Sequence, residues 1–463
     1  MMFRKVNNVH FVGIGGIGMS GIAELLLNLG FKVSGSDLTD SEIIQNLKNK
    51  GAKVFKGHDE KNINNSEVIV YSSAVSDDNP ELKIAIQNNI PIIKRAEMLG
   101  ELIALKQTSI GVAGTHGKTS TSSIIGALLT YSKLDPTLVV GGLVKNLDTN
   151  SKLGKGDIIV VEADEYDKSF LQLKPTFSII TNIEEEHMDC YNDLDDLYNS
   201  FTQFANAVPF YGAVVACIDS PGVQTILPKV KRPIITYGLS SQADIRAENI
   251  EFHEMTTTYN IIKYNQNIGK IILNAPGKHN VLNSLAAATM GLEMGLNIEN
   301  IIDGINSYGG VRRRFEIKGI SKNIMVVDDY AHHPTEVSAT LEAARNGWDR
   351  RIIAVFQPHL YSRTKSFYKE FARAFLDSDI LIITDIYPAR EIPIEGINGK
   401  IVYNEALSIG HKNAHFIPDL ENLESLLDKL VQSNDMIITI GAGTIWRYGQ
   451  AYYEHLTKQE SNI

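Results

Sequence analysis

Cysteine is scarce: Cys190 and Cys217 are the only two in 463 residues. Neither stands in a C-x-x-C spacing, which excludes a disulfide framework and a paired-thiol metal or redox site. Both are read as packing residues in a reducing compartment. No uninterrupted apolar run approaches the roughly 20 residues that cross a bilayer, so no membrane span is expected. Positive charge is also in deficit, with 44 Lys and Arg against 54 Asp and Glu and a formal charge of −10. That balance excludes a general nucleic-acid surface, which needs a basic face or stripe. No basic stretch, apolar core and small-residue cleavage site precede the strand-like Val9–Gly13, and a cytosolic protein is expected. The partners left are small molecules. An acidic chain still binds phosphates where glycine loops, a few cationic side chains and a divalent cation meet in one cleft.

What the chain does have is rhythm. With 43% hydrophobic and 21% charged residues it is an ordinary globular composition, too long for a single core. Strand-like runs alternate with helical patterns almost throughout, the signature of βαβ units and mostly parallel sheets. The reading is α/β with three domains, at residues 1–106, 107–314 and 315–463. The first begins Val9-His10-Phe11-Val12, passes a glycine loop into a helical stretch Met19–Leu29, and returns as Lys32-Val33-Ser34-Gly35. A second beginning comes at Ser109–Ala113, followed by another glycine loop and the helical stretch Thr119–Tyr131. The third block carries apolar strands at Ile324–Val327, Ile352–Phe356, Ile380–Thr384 and Met436–Ile440, the last followed by Gly441-Ala442-Gly443. Phe367, Phe371 and Phe375 fall at i, i+4 and i+8, predicting one helical stripe facing a core.

The most informative segment is Gly114-Thr115-His116-Gly117-Lys118-Thr119, between an apolar strand and a helix, where a phosphate-cradling loop must lie. Main-chain N–H groups and the helix N-terminus can bind polyphosphate there, Lys118 would reach the β- and γ-phosphates, and the Thr119 hydroxyl would hold Mg²⁺. The strict P-loop spacing wants glycine at position 112, which here is Val112. Downstream, the strand Asp157–Val161 ends in Glu162-Ala163-Asp164-Glu165, and carboxylates at the carboxyl end of a parallel strand stand where ligands bind. Glu162 is the expected metal ligand. The strand Phe177–Thr181 ends in Asn182 through Glu184-Glu185-Glu186-His187, and His187 would complete a site for a second cation. Clusters like these, taken alone, are more often solvated loops.

The first domain carries Gly13-x-Gly15-x-x-Gly18 with Asp37 at the end of the next strand, a dinucleotide fingerprint. Alone it suggests an NAD-dependent oxidoreductase, or a tight turn without ligand. A UDP diphosphate satisfies the same physics.

With both loops in one chain, the sequence resembles the Mur ligase family over essentially its whole length. His10–Gly21, Ser34-Gly35-Ser36-Asp37, Asp328–Glu336 and Phe356-Gln357-Pro358-His359 resemble the alanine-adding branch of that family. The resemblance implies a Rossmann-like UDP-binding domain, a central P-loop ATPase-type domain and a Rossmann-like C-terminal domain. It implies ATP and Mg²⁺, UDP-N-acetylmuramate and L-alanine, and an acyl-phosphate route to an amide, with the domains closing on their ligands. Residue by residue, it places Lys118 and Thr119 on ATP and Mg²⁺, and Glu162 and His187 on metal. His279, Asn280 and Asn283 fall near adenine, Arg313 or Arg314 at the phosphates, and Asp328 near the ribose. Gly13, Gly15, Gly16, Gly18, Met19, Ser20, Asp37, Ser72, Ser73 and His332 take the UDP-sugar. His333 and Arg363 join Lys118 and His187 as the catalytic set, with His332 or His333 helping to deprotonate the amine.

Two departures stand out. Some relatives carry arginine where this chain has Leu360. Several sister ligases use a carbamylated lysine soon after the histidine matching His187, and here no lysine lies between Lys174 and Lys229. A peptide-recycling sister ligase shares nearly every motif. A dehydrogenase leaves the second loop without a purpose, and a non-catalytic relative has no need to keep Lys118, Thr119 and Glu162.

Overall fold

The computed structural model describes residues 6–72, 74–144, 149–389 and 391–461. The chain forms two compact units. One runs to Asn249 and takes in Tyr259–Ile272 and Leu282–Gly310; the other comprises Ile250–Thr258, Leu273–Val281 and the chain from Val311 onward.

Two sheets lie wholly or mostly in the first unit. Strands β1 (Asn8–Val12), β2 (Lys32–Asp37), β3 (Lys53–Lys56), β4 (Val68–Tyr71) and β5 (Ile92–Lys94) form a parallel sheet in the order β3-β2-β1-β4-β5. Strand β1 is central, and strand order reverses beside it, which opens a crevice at its carboxyl end. From Val9 to Val12 every side chain of β1 is buried, as a strand covered on both faces requires.

The second sheet has ten strands: β6 (Thr108–Ala113), β7 (Thr137–Val144), β8 (Thr149–Lys152), β9 (Ile158–Glu162), β10 (Phe177–Ile180), β11 (Ala213–Cys217), β12 (Ile234–Gly238), β13 (Ile245–His253), β14 (Thr256–Lys263) and β15 (Gln266–Leu273). Their order is β15-β14-β13-β12-β11-β10-β6-β9-β7-β8, so β6 lies between β10 and β9, parallel to both. Three carboxyl ends therefore open side by side. The helix Leu194–Asn206 shows how sequence drives the packing. Asp193 caps it by accepting the Asp196 N–H at 2.8 Å, and Leu197, Phe201, Phe204 and Ala205 share its buried face. Phe201 and Phe204 meet Phe170 at centroid distances of 5.0 and 5.1 Å, and each such ring buried stabilises by about 1.5–3 kcal/mol. One apolar cluster joins side chains of both sheets, from Phe11 and Ile22 through Leu99 to Val161 and Phe204.

The second unit holds β16 (Glu316–Ser321), β17 (Ile324–Asp329), β18 (Arg351–Phe356), β19 (Ile380–Thr384), β20 (Ala414–Ile417) and β21 (Asp435–Ile440), ordered β16-β17-β21-β18-β19-β20 and parallel except for β16. The phenylalanine stripe is less regular than its spacing predicts. The helix Tyr361–Ala374 leaves helical geometry at Phe367 (φ −119°, ψ 15°), and Phe375 falls in a following 3₁₀ turn, Phe375–Asp377. Phe371 and Phe375 are nonetheless fully buried and Phe367 is partly buried, because the core fixes the rings and the backbone adjusts to them. Cys217 is buried and Cys190 half-buried, both as free thiols. Among the described residues no helix is long and apolar enough to cross a membrane.

Candidate active site

The loop after β6 has the geometry of an anion seat. Gly114 (φ +136°) and Gly117 (φ +83°) adopt conformations that L side chains rarely enter, and Gly117 opens the helix Lys118–Tyr131. A Cβ at Gly114 would lie 2.1 Å from Thr181 Oγ1, and one at Gly117 2.4 Å from Asn283 Oδ1. The end of β10 laces the loop in place. The His116 N–H donates to Asn182 Oδ1 (2.8 Å), Thr181 Oγ1 donates to the His116 carbonyl (2.6 Å), and the Glu184 N–H donates to Thr115 Oγ1 (2.9 Å). Thr121 Oγ1 donates to Asn283 Oδ1 at 3.2 Å, so Asn283 sits against this loop.

Lys118 is turned inward. Its ammonium donates to the carbonyls of Gly114 (2.6 Å) and Thr115 (3.2 Å) and to both oxygens of Glu165 (2.9 and 2.6 Å). Glu165 is 1% exposed. Burial pushes its carboxyl up to about 7 although Lys118 pulls the other way. Glu165, Glu186 and His187 bring one ligand atom each within 4.8 Å of one another. Two buried carboxylates and an imidazole make a donor set that fits a hard divalent cation. The expected ligand Glu162, at the end of β9, accepts the Gly141 N–H at 2.6 Å through one of its two oxygens. Thr119 occupies the first turn of the loop helix. His187 itself has φ +56° and packs edge-on against Tyr166 at 5.2 Å.

The first glycine loop lies at the carboxyl end of β1. The N–H groups of Gly13 and Ile14 donate to the Ser36 carbonyl at 2.9 and 3.1 Å, and the Gly15 N–H donates to Asp37 Oδ2 at 2.9 Å. Asp37 Oδ1 accepts the Thr39 N–H and hydroxyl, both at 3.0 Å. Gly16 caps the helix Ile17–Asn28. Arg95 covers Gly18, with its Nη1 2.8 Å from where a Cβ would stand, and its Nη2 reaches Asp164 Oδ2 at 3.3 Å. Arg95 thereby links the first loop to the acidic turn after β9. Met19 is 2% exposed, and the Ser20 hydroxyl is spent on the Ile17 carbonyl. Ser72 lies beside Gly13, its Cβ 3.6 Å from a Cβ built there; Ser73 lies outside the described residues.

In the second unit, Arg313 is pinned by Asp328 Oδ2 (3.0 Å) and the Gly441 carbonyl (2.6 Å) and lies over the Tyr330 ring at 4.9 Å. Asp328 is buried, which raises its carboxyl against the pull of Arg313. Arg314 faces Glu336 at 3.7 Å. His332 Nδ1 lies 3.3 Å from Glu336 Oε2, and its ring is 6.0 Å from that of His359. His359 stacks on Tyr387 at 5.8 Å and its Nδ1 is 3.3 Å from Arg363 Nη1. His333, 5% exposed, opens the helix Pro334–Gly347 and packs on Phe367 at 5.0 Å. His279 and Asn280 adjoin at 3.1 Å, and Asn280 Nδ2 donates to the Pro276 carbonyl at 2.8 Å. Burial and the Arg314 charge hold His279 down to about 4, opposed by Glu336.

Three sheets with a glycine-bearing turn at a carboxyl edge, one of them keeping Lys118 beside an acid and histidine trio, define a nucleotide-dependent enzyme of α/β class. The sequence matches the Mur ligase family catalytic domain over residues 8–107, the Mur ligase middle domain over 112–291 and the Mur ligase glutamate ligase domain over 313–443. The chain belongs to the Mur ligase family. It is 49% identical over 455 residues to the UDP-N-acetylmuramate–L-alanine ligase of Geotalea uraniireducens, covering 98% of this chain and 99% of that one. Among solved structures, it matches the UDP-N-acetylmuramate-alanine ligase of Thermotoga maritima with a TM-score of 0.84 at 28% identity, over 98% and 99% of the two chains. A murein peptide ligase from Psychrobacter arcticus shares the fold, with a TM-score of 0.71 at 22% identity over the same shares.

Glu165 and Glu186 fall within the acidic clusters that the sequence points to but are not singled out by it, and Arg95 is not reached from sequence at all. Glu165 carried a signal, since it stands three residues after Glu162 in the same acidic turn; Arg95 carried none.

Proposed function

We propose that this protein joins L-alanine to the lactyl carboxylate of UDP-N-acetylmuramate in the cytosol, converting ATP to ADP and phosphate in peptidoglycan precursor synthesis. The observation that carries the reading is the 49% identity along the full length of both chains to a ligase named for that pair of substrates. Residues 1–106 take the UDP-sugar in this reading, 107–314 take ATP, and 315–463 supply the amino-acid side.

A carboxylate is a poor acyl donor because oxide is its leaving group. The lactyl carboxylate attacks the γ-phosphorus, the bond to the β,γ-bridging oxygen breaks, and ADP departs from an acyl phosphate. The neutral amine of L-alanine then attacks the acyl carbon, and the tetrahedral adduct expels phosphate. Positioning and charge neutralisation do most of the work, so no serine or cysteine nucleophile is required. Lys118 exchanges Glu165 for the β- and γ-phosphates, with Arg313 or Arg314 adding positive charge. Thr119, Glu165, Glu186, His187 and the expected Glu162 are the residues to hold Mg²⁺, which supplies further neutralisation of phosphate oxygens. His332 or His333 takes the amine proton, and Arg363 orients a carboxylate. His279, Asn280, Asn283 and Asp328 hold the adenosine.

The test is phosphate release with product mass, using ATP, Mg²⁺ and UDP-N-acetylmuramate with L-alanine, D-glutamate or a cell-wall tripeptide. An alanine-sized gain with L-alanine alone is expected. A gain with the tripeptide alone would move the chain to the murein-peptide ligases, and no turnover with any amine would remove the catalytic reading.

A further inference from the structure

Behind the first glycine loop lies a buried polar cluster that the proposed chemistry does not use. Glu81, in the first turn of the helix Pro80–Gln87, is 0% exposed. Its Oε2 accepts the Ser36 hydroxyl at 2.5 Å and lies 3.5 Å from His10 Nε2 and 3.5 Å from His58 Nδ1. Its Oε1 accepts from Asn62 Nδ2 at 2.6 Å and from the Asp59 N–H at 3.3 Å. Burial pushes the carboxyl up, but the neighbouring His10 imidazole and hydrogen bonds from Ser36 and Asn62 outweigh it and hold the group below the usual carboxylate range. Glu81 is thus a sequestered anion, a costly group to bury unless every lone pair is met.

What the cluster holds is specific. Ser36, itself 0% exposed, offers its carbonyl to both N–H groups that begin the loop, Gly13 and Ile14. The next residue, Asp37, takes the Gly15 N–H. The segment that shapes the loop from one side is therefore fastened from behind by the Glu81 carboxylate together with His58, whose Nδ1 lies 2.9 Å from Ser36 Oγ.

We infer that Glu81 is a positioning residue for nucleotide-sugar binding: through Ser36 it sets the shape in which the Gly13–Gly15 turn meets a diphosphate. The inference rests on the reading of residues 1–106 as the UDP-sugar domain. The experiment measures UDP-N-acetylmuramate binding by calorimetry and steady-state kinetics on the full chain, for wild type, Glu81→Ala, Glu81→Gln and Ser36→Ala. Glu81→Ala is expected to weaken UDP-N-acetylmuramate binding by roughly tenfold and raise its KM in step, with kcat and the KM for ATP within about twofold of wild type. Glu81→Gln, which retains an acceptor for Ser36, recovers most of the affinity. Ser36→Ala gives a smaller loss of the same kind and carries the test if Glu81→Ala does not fold. Unchanged affinity in the alanine variants, or a loss shared equally by ATP, overturns the inference. Failure of the wild type to bind UDP-N-acetylmuramate while binding ATP overturns the reading of the loop, and the inference with it.

Discussion

The ammonium of Lys118 lies 2.6 Å from the carboxylate of Glu165, whose side chain is 2% exposed. A phosphate-loop lysine held this way has its charge directed into the protein until a stronger anion arrives. Lys118→Ala should cut phosphate release by roughly three orders of magnitude, the upper range for loss of one charge-stabilising donor, while circular dichroism stays native. Turnover near wild type would remove the loop assignment.

Two glycines with similar backbone angles should respond differently to alanine. Gly51 (φ +100°) has nothing within 4 Å of a built Cβ, whereas at Gly117 (φ +83°) that atom would lie 2.4 Å from Asn283 Oδ1. Gly51→Ala is expected to cost about 1 kcal/mol from backbone strain alone. Gly117→Ala should cost about 1–3 kcal/mol in a denaturant titration and also raise the KM for ATP. Equal costs with unchanged KM would contradict the packing at Gly117.

The trio of Glu165, Glu186 and His187 should report on cations directly. Chelation is expected to stop turnover and added Mg²⁺ to restore it. Mn²⁺ affinity, followed by electron paramagnetic resonance, should fall by about tenfold or more in His187→Ala and Glu186→Gln. Mn²⁺ binding that is insensitive to both changes but lost in Glu162→Gln would return the site to the ligand expected from sequence.

His279 gives stability a pH signature. Its imidazole is held down to about 4, whereas in the unfolded chain it protonates near 6.5. Between those values the unfolded chain binds more protons, so stability is full above about 6.5 and falls as pH drops toward 4, by up to about 3 kcal/mol. Urea titrations at several pH values should show that slope in the wild type and a shallower one in His279→Gln. An unchanged slope would place the proton uptake elsewhere.

The two loops were legible because glycine spacing, strand and helix are local in the chain. Lys118 and Thr119 follow from six consecutive residues, and the α/β class from the alternation itself. What the sequence concealed is long-range. Lys118 meets Glu165 across 47 positions and His116 meets Asn182 across 66, and only the sheet order β10-β6-β9 brings those strand ends together. Glu162 and Glu165 belong to one acidic turn, yet composition cannot tell which carboxylate turns inward. Phe367 misleads for another reason: spacing assumes ideal helical angles, and the chain departs from them at that residue.

Asp37 stands where the dinucleotide fingerprint puts its ribose acceptor, and its carboxylate already accepts from the chain's own donors, the Gly15 N–H on one oxygen and the N–H and hydroxyl of Thr39 on the other, with a lone pair of Oδ2 left for a further donor. An acid used as a brace for a turn leaves the same trace in sequence as an acid used as a hook for a sugar. Glycines plus acid, taken as a signature of redox enzymes, therefore gather proteins that carry no electrons, and which use applies is decided by the direction in which one side chain points.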